Sequence, residues 1–334
     1  MLMNKLLLFL TLTLSGLMLP NSDPRPSKFE ITHYNITFAP DLSNRVNPAK
    51  YARALQDVTI LSKLTENLYP SILKQGRSEQ QRDKFRVDFI NKGLIGTYNV
   101  QTQSLSLDFG RFGTNQLARI NYIKRRNNPA EFLQRDIARL NSEFSRIYNV
   151  AKTQNFGADV WTYLKEFEGE RVLQTENGIQ DDAGNTYFNK YKNILIITTD
   201  GYIEAGIYGQ GYDLSQRRVD DFRNAFISSG EQDLEAYFRK RKDCRIKPVQ
   251  NKKLKNVEVL VMELFDRSRS RDGRAMIHPT DLDILKLFWA DWLKQSGVKR
   301  YELQPCADSK EEAEKTILNF LGVTKKTDAS PSIN

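Results

Sequence analysis

The chain has 334 residues, 40% of them hydrophobic and 27% charged, with a formal net charge of +9. That is enough for one large domain or two ordinary ones, and the apolar content excludes a wholly disordered polyelectrolyte. The positive excess lies in local runs, Lys124-Arg125-Arg126, Arg239 to Lys242, Lys252 to Lys255 and Arg267 to Arg274; no zinc-finger spacing or other nucleic-acid motif accompanies them, so solvated faces are expected and nucleic acid is not favoured as a partner.

Residues 1–22 combine Lys5 with an apolar run from Leu6 to Leu19 and a polar break at Pro20. This reads as a secretory signal, with an uncleaved N-terminal anchor as the alternative and the only predicted route to a membrane. The expected location is secreted or periplasmic. Residues 23–30 read as a linker, 31–322 as one α/β domain and 323–334 as a disordered tail.

Within the domain, residues 31–39 alternate enough for a strand, and apolar residues from Tyr51 to Leu68 follow at helical spacing after Pro48. Residues 85–91 and 104–109 read as strands paired in an antiparallel hairpin. Pro129 opens a helix through Tyr148, and a short helix runs from Val160 to Phe167. Residues 169–190 are polar and read as a loop. Ile194 to Thr198 is an unbroken apolar run, as expected of a strand buried on both faces. Residues 202–218 read as a Gly- and Tyr-rich surface loop, in which Tyr202 and Tyr208 are candidate recognition residues. A partly helical stretch spans 222–237. Val257 to Phe265 is the next central strand, Asp281 to Gln295 a helix closed by Gly297, Arg300 to Leu303 a short strand, and Lys310 to Leu321 the last helix. Trp289 and Trp292 read as core. This order predicts a doubly wound, mostly parallel sheet with one antiparallel edge strand and helices on both faces.

Chemistry concentrates at two strand ends. Asp41-Leu42-Ser43 follows the first strand and Thr199-Asp200-Gly201 follows the central one, while Gly157-Ala158-Asp159 precedes a helix between them. In such sheets ligands bind outside the carboxyl ends of the strands. Asp41, Ser43 and Asp200, with Asp159 as a further carboxylate and Thr199 as a hydroxyl, are the expected oxygen ligands of Mg²⁺, or of Mn²⁺ or Ca²⁺. The competing reading is that the two aspartates only cap turns.

At this point the chain resembles the von Willebrand factor A family. There an Asp-x-Ser-x-Ser motif after the first strand, a Thr from a middle loop and an Asp after the fourth strand form a metal-ion-dependent adhesion site. Asp41 and Ser43 match the first two positions and Asp200 the last. Arg45 stands where the second Ser belongs, and Ala158 or Asp159 falls nearest to the Thr. The resemblance implies a Rossmann-like fold and a protein-binding module whose cation is completed by an acidic residue of a partner protein. Arg45 opens another reading, in which its guanidinium replaces the metal beside Asp41 or Asp200. Two further alternatives are a metal-dependent hydrolase or phosphotransferase, with Asp41 as nucleophile or ligand and Arg45 as phosphate clamp, and a metal-free scaffold. The former lacks a nucleophile elbow and a motif Lys.

The two cysteines, Cys244 and Cys306, are expected to form a disulfide in an oxidising compartment, with two buried thiols as the alternative.

Overall fold

In the computed structural model of the chain, residues 27–323 are described, apart from 50–52, 74–79, 92–99, 128–129, 154–156, 181–183, 205–211 and 271. The signal segment, the first half of the linker, nearly all of the tail and Tyr208 therefore lie outside the described residues.

The strands are β1 (Lys28–Pro40), β2 (Lys84–Val87), β3 (Ser106–Asp108), β4 (Ile179–Gln180), β5 (Thr186–Thr198), β6 (Val257–Leu264) and β7 (Arg300–Pro305). They form one sheet in the order β3-β2-β1-β5-β6-β7, with β4 paired to β5 off that path. β1 runs parallel to both β2 and β5, and β5, β6 and β7 continue in parallel. β3 is antiparallel at one edge, and β4 is antiparallel on β5.

The helices are α1 (Asp57–Glu66), α2 (Gln116–Lys124), α3 (Leu133–Ala151), α4 (Val160–Lys165), α5 (Gln216–Ser229), α6 (Leu234–Lys240), α7 (Asp281–Gln295) and α8 (Lys310–Leu321). Alternate strand residues divide the core into two layers, as a period of two requires. Ile36, Phe38, Ile194, Ile196, Leu260 and Met262 pack with α1, α3 and α8. Ala39, Leu195, Ile197, Val257, Val259 and Val261 pack with α4 to α7, including the fully buried Trp289 and Trp292. The predicted fold class is the one observed.

Several local expectations are corrected. α1 begins at Asp57, well after Pro48, and Gln56 stands as its extended N-cap without a side-chain bond. β2 stops at Val87, where the Asp88 N–H donates back to the Phe38 carbonyl. α2 has no counterpart among the predicted elements, because its apolar residues do not gather on one face: Arg119, Tyr122 and Ile123 are buried while Leu117 is 66% exposed. β5 starts eight residues before Ile194. Its polar first half pairs residue for residue with the polar first half of β1, from Lys28 opposite Thr186 onward. The backbone ladder holds that ribbon where apolar patterning gives no sign of a strand. The segment after Gly201 is pinned at its base, since Ile203 and Leu214 are buried and exchange both backbone hydrogen bonds.

Candidate functional site

β1 and β5 end side by side, with Pro40 opposite Thr198, so the two acidic turns leave the sheet at the same place. The Asp41 N–H donates to the Thr198 carbonyl at 2.9 Å, and the Thr199 N–H donates to the Met262 carbonyl of β6 at 3.0 Å. Asp41 is thereby drawn under the sheet end and is buried. Its Oδ1 accepts the Ser43 N–H at 2.9 Å, and its Oδ2 accepts the Thr199 hydroxyl at 2.9 Å. Burial pushes the Asp41 carboxyl above its ordinary range; Arg45 pulls it back and Asp200 pushes it further up.

Arg45 sits in a single 3-10 turn, Asn44–Val46, and its side chain points inward, 1% exposed. Its Nε donates to the Asp41 carbonyl at 2.7 Å. Its Nη2 reaches Asp57 Oδ1 at 2.8 Å, the Thr198 carbonyl at 2.7 Å and the Thr198 hydroxyl at 3.0 Å. The Asp41 carboxylate lies 4.0 Å from Nε. The main acidic partner of Arg45 is thus Asp57, which no motif in the sequence connects to the site. Burial alone would raise the Asp57 carboxyl, but Arg45 and then Arg53 outweigh it and hold it below its usual range.

Asp200 makes the second half. Its Oδ1 accepts the Tyr202 N–H at 3.2 Å, and its Oδ2 pairs with Arg267 Nη2 at 2.8 Å. The Arg267 guanidinium lies over the Tyr202 ring, 3.7 Å from its centroid. Tyr202 is buried, against the expectation of an exposed recognition residue. Its hydroxyl donates to Asp281, which also pairs with Arg223. Tyr212, beyond the same loop, packs edge-on against Trp161 at 4.5 Å.

Behind Arg45 the charge network continues. Arg53 lies 3.7 Å from Asp57 Oδ2 and 3.9 Å from Glu263 Oε2. Glu263 is fully buried beside an irregularity in the β6–β7 ladder and has a positive φ of 70°. Irregularities of this kind re-aim a side chain out of the strand alternation. The Glu263 carboxylate accepts the Ala307 N–H at 3.1 Å, and burial pushes it up to about 7.

Asp159 does not join this group. Its side chain accepts the Thr162 N–H at 2.9 Å and caps α4. Asn91 links the neighbouring loop to the site instead, accepting the Leu42 N–H and donating to the Gly157 carbonyl, both at 2.9 Å. Among the described residues no group of three or more His, Cys, Asp or Glu stands close enough to hold a metal ion. The donor set does not fit a divalent cation as arranged: all four carboxylate oxygens of Asp41 and Asp200 already accept N–H or O–H donors. Guanidinium groups bring positive charge to both aspartates, from Arg45 at the first and Arg267 at the second.

The expected disulfide is also corrected. Cys244 and Cys306 are both free. Cys244 lies near the Arg241 carbonyl at 3.1 Å and Cys306 near the Glu263 carbonyl at 3.4 Å, so each thiol is held by a different part of the fold. Burial, reinforced by Glu263, pushes the Cys306 thiol up to about 12.

In the sequence Arg267 is one member of a basic run, and nothing local marks it as the partner of Asp200. Glu263 carries a usable signal, as one of two carboxylates, with Glu258, inside the otherwise apolar β6, since burying a charge is costly without a partner.

No protein-family model matches the chain, and no curated protein matches it. Among solved structures it is similar to the pilus adhesin SpaC from Lactobacillus rhamnosus GG, at 13% identity and a TM-score of 0.33. That likeness covers 89% of this chain and 31% of the adhesin, so the chain spans about a third of that protein's length.

Proposed function

We propose that the chain is an extracytoplasmic protein-binding module of the von Willebrand factor A type that works without a divalent cation. The supporting observation is the placement of Asp41 and Asp200 at the adjoining ends of β1 and β5, in a sheet whose order is β3-β2-β1-β5-β6-β7 with an antiparallel β3 edge. In this reading Arg45 and Arg267 supply the positive charge that the sequence assigned to Mg²⁺, Mn²⁺ or Ca²⁺, and the buried site serves to lock the loops that frame the upper end of the sheet. The secretory signal in the sequence supports the location. Among the described residues no helix is long and apolar enough to cross a membrane.

The test is a thermal melt of the full chain in EDTA and then in millimolar Mg²⁺, Mn²⁺ or Ca²⁺, beside Asp41→Ala/Asp200→Ala. A ligand that binds only the native state stabilises it by about 2.7 kcal/mol at a hundredfold excess over its dissociation constant. The expected result is no shift with any of the three ions. A shift that disappears in the double variant would return the cation to the site and overturn the metal-free reading.

A further inference from the structure

The charge of the chain is unevenly placed. Residues 239–256 hold nine basic residues and one acidic one, Asp243, so this stretch carries +8 of the net +9. Other basic residues are neutralised by the fold: Arg267 pairs with Asp200, Arg269 with Asp266 and Arg274 with Asp272. The first part of 239–256 behaves alike, since Arg239 pairs with Glu235, Lys240 with Glu231, Arg241 with Asp243 and Arg245 with Asp291. The second part does not. Lys252, Lys253 and Lys255 are exposed, and their ammonium groups have no hydrogen-bond or ion-pair partner among the described residues.

These three groups stand on a fixed support. They belong to the 3-10 turn Lys252–Asn256, whose Leu254 is buried and whose N-cap Asn251 accepts the Lys253 N–H at 2.9 Å. The Asn251 amide donates to the Leu164 and Phe167 carbonyls at 2.9 and 3.0 Å, which fastens the turn to the end of α4. Upstream, the Val249 N–H donates to Ser296 Oγ at the C-cap of α7, and Trp161 Nε1 donates to the Lys247 carbonyl. Three more exposed lysines therefore flank the turn: Lys165 of α4, Lys247, and Lys294 of α7. None of them pairs with an acid among the described residues; Lys165 and Lys247 lie over the Trp161 and Tyr212 rings. Asp243 and Asp291 are spent on arginines, which leaves six ammonium groups facing only Glu166 and Glu168 at the margin beyond Lys165. The complement of such a surface is anionic.

The shape around the shelf selects among anions. The turn leads into Val257, which is level with Asn193 and Asn35. From that level the β1–β5 ribbon projects on to Lys28, roughly 23 Å at a rise of about 3.3 Å per residue. Charge is screened over about 8 Å at physiological ionic strength, so a flat anionic bilayer meets the ribbon before it feels the shelf. Single-stranded nucleic acid needs open aromatic platforms. Here Trp161 and Tyr212 pack edge-on against each other at 4.5 Å, beneath Lys165 and Lys247. An acidic stretch of polypeptide is narrow enough to lie beside the ribbon, and its carboxylates need only point charges.

We infer that this lysine shelf, at the opposite end of the sheet from Asp41 and Asp200, binds an acidic segment of a partner protein. The inference rests on the protein-binding reading above, and it moves the acidic contact from the buried aspartates to exposed lysines.

The experiment follows the anisotropy of a short fluorescent peptide of alternating Glu and Ser on the folded full chain. The Gln/Ser counterpart should not bind. Lys252→Gln/Lys253→Gln/Lys255→Gln should weaken binding of the acidic peptide roughly tenfold, and Lys252→Arg/Lys253→Arg/Lys255→Arg should keep it. Lys152→Gln/Lys310→Gln/Lys315→Gln removes the same charge from the α3 and α8 side and should leave binding within about twofold. Equal losses in the two Gln triples would reduce the effect to net charge and overturn the shelf. Phosphatidylglycerol vesicles or poly-dT that bind more tightly than the peptide, and lose binding in the shelf triple, would overturn the acidic-protein partner. Panning random displayed peptides on the native chain and on the shelf triple separates this inference from the reading beneath it. Fold-specific families that bind both alike would remove the shelf and leave the protein-binding reading standing. No fold-specific family on either would count against that reading itself, and the shelf would fall with it.

Discussion

Arg45 Nη2 and Asp57 Oδ1 meet at 2.8 Å with neither side chain exposed to solvent. Removing one member strands the other charge in the interior, which typically costs about 3–5 kcal/mol. Arg45→Met should therefore lower stability by that order in urea unfolding, and Asp57→Leu should do the same. Arg45→Met/Asp57→Leu should lose less than the sum of the two, because neither member of this pair is left facing the other's vacancy. The Asp57 carboxyl is held down in the fold, so its contribution is full above its ordinary 3.8 and is lost as pH falls through the depressed value.

Glu263 acts with the opposite sign. Its carboxyl rises from 4.5 to about 7 in the fold, so the native state holds a proton that the unfolded chain has released. The stabilisation is present below the unfolded value and is lost as pH rises through about 7. Glu263→Gln should flatten the stability profile between about pH 5 and pH 8, and it should be the more stable protein at the upper end by on the order of 2 kcal/mol. Urea midpoints across that range measure it; a parallel profile for the two proteins would refute it.

Thr199 ties the two acidic turns together by donating to Asp41 and accepting the Gly201 N–H at 3.2 Å. Thr199→Val keeps the shape, removes the donor, and leaves a buried carboxylate oxygen unsatisfied. The expected cost is about 1–3 kcal/mol, largely restored in Thr199→Ser. Equal stability of the Val and Ser variants would mean that the hydroxyl contributes nothing.

Gly201 has φ +93°, and a Cβ there would lie 2.7 Å from Leu264 Cδ2 and 3.2 Å from Leu285 Cδ1. Its carbonyl also accepts the Trp289 indole N–H at 2.8 Å. Gly201→Ala therefore meets both backbone strain and core atoms, and should lower stability by about 1–3 kcal/mol. Calorimetry of the two proteins decides this.

The free thiols make a simple chemical prediction. Chain unfolded without reductant should titrate two thiols with Ellman's reagent, and reductant should leave the thermal midpoint unchanged. In the folded protein Cys306, raised to about 12, should react more slowly than Cys244.

The sequence was most legible where one face of an element is apolar. The observed α7 and α8 have the predicted limits, Asp281–Gln295 and Lys310–Leu321, because their apolar stripes stop where Gly297 and Gly322 turn the chain. The first half of β5 was illegible because its pairing with β1 is backbone work, and α2 because its apolar residues are split between the buried face and the exposed Leu117. At the site, the adjacency of Asp41, Thr199 and Asp200 followed from strand ends alone. Their real charge partners did not: Asp57 is twelve residues from Arg45, and Arg267 is 67 from Asp200. Such pairings are set by three-dimensional packing and leave no local pattern.

The unequal reach of the sheet has one more consequence. β1 and β5 run together for 13 residues each, and their polar halves extend away from the Asp41 and Asp200 end. At a rise of about 3.3 Å per residue, that ribbon sets Lys28 roughly 40 Å from Pro40. The paired strands thus place the loops locked by Arg45 and Arg267 at the opposite end of the sheet from Lys28, so a change in the polar half of the ribbon lies a full strand length from the acidic turns.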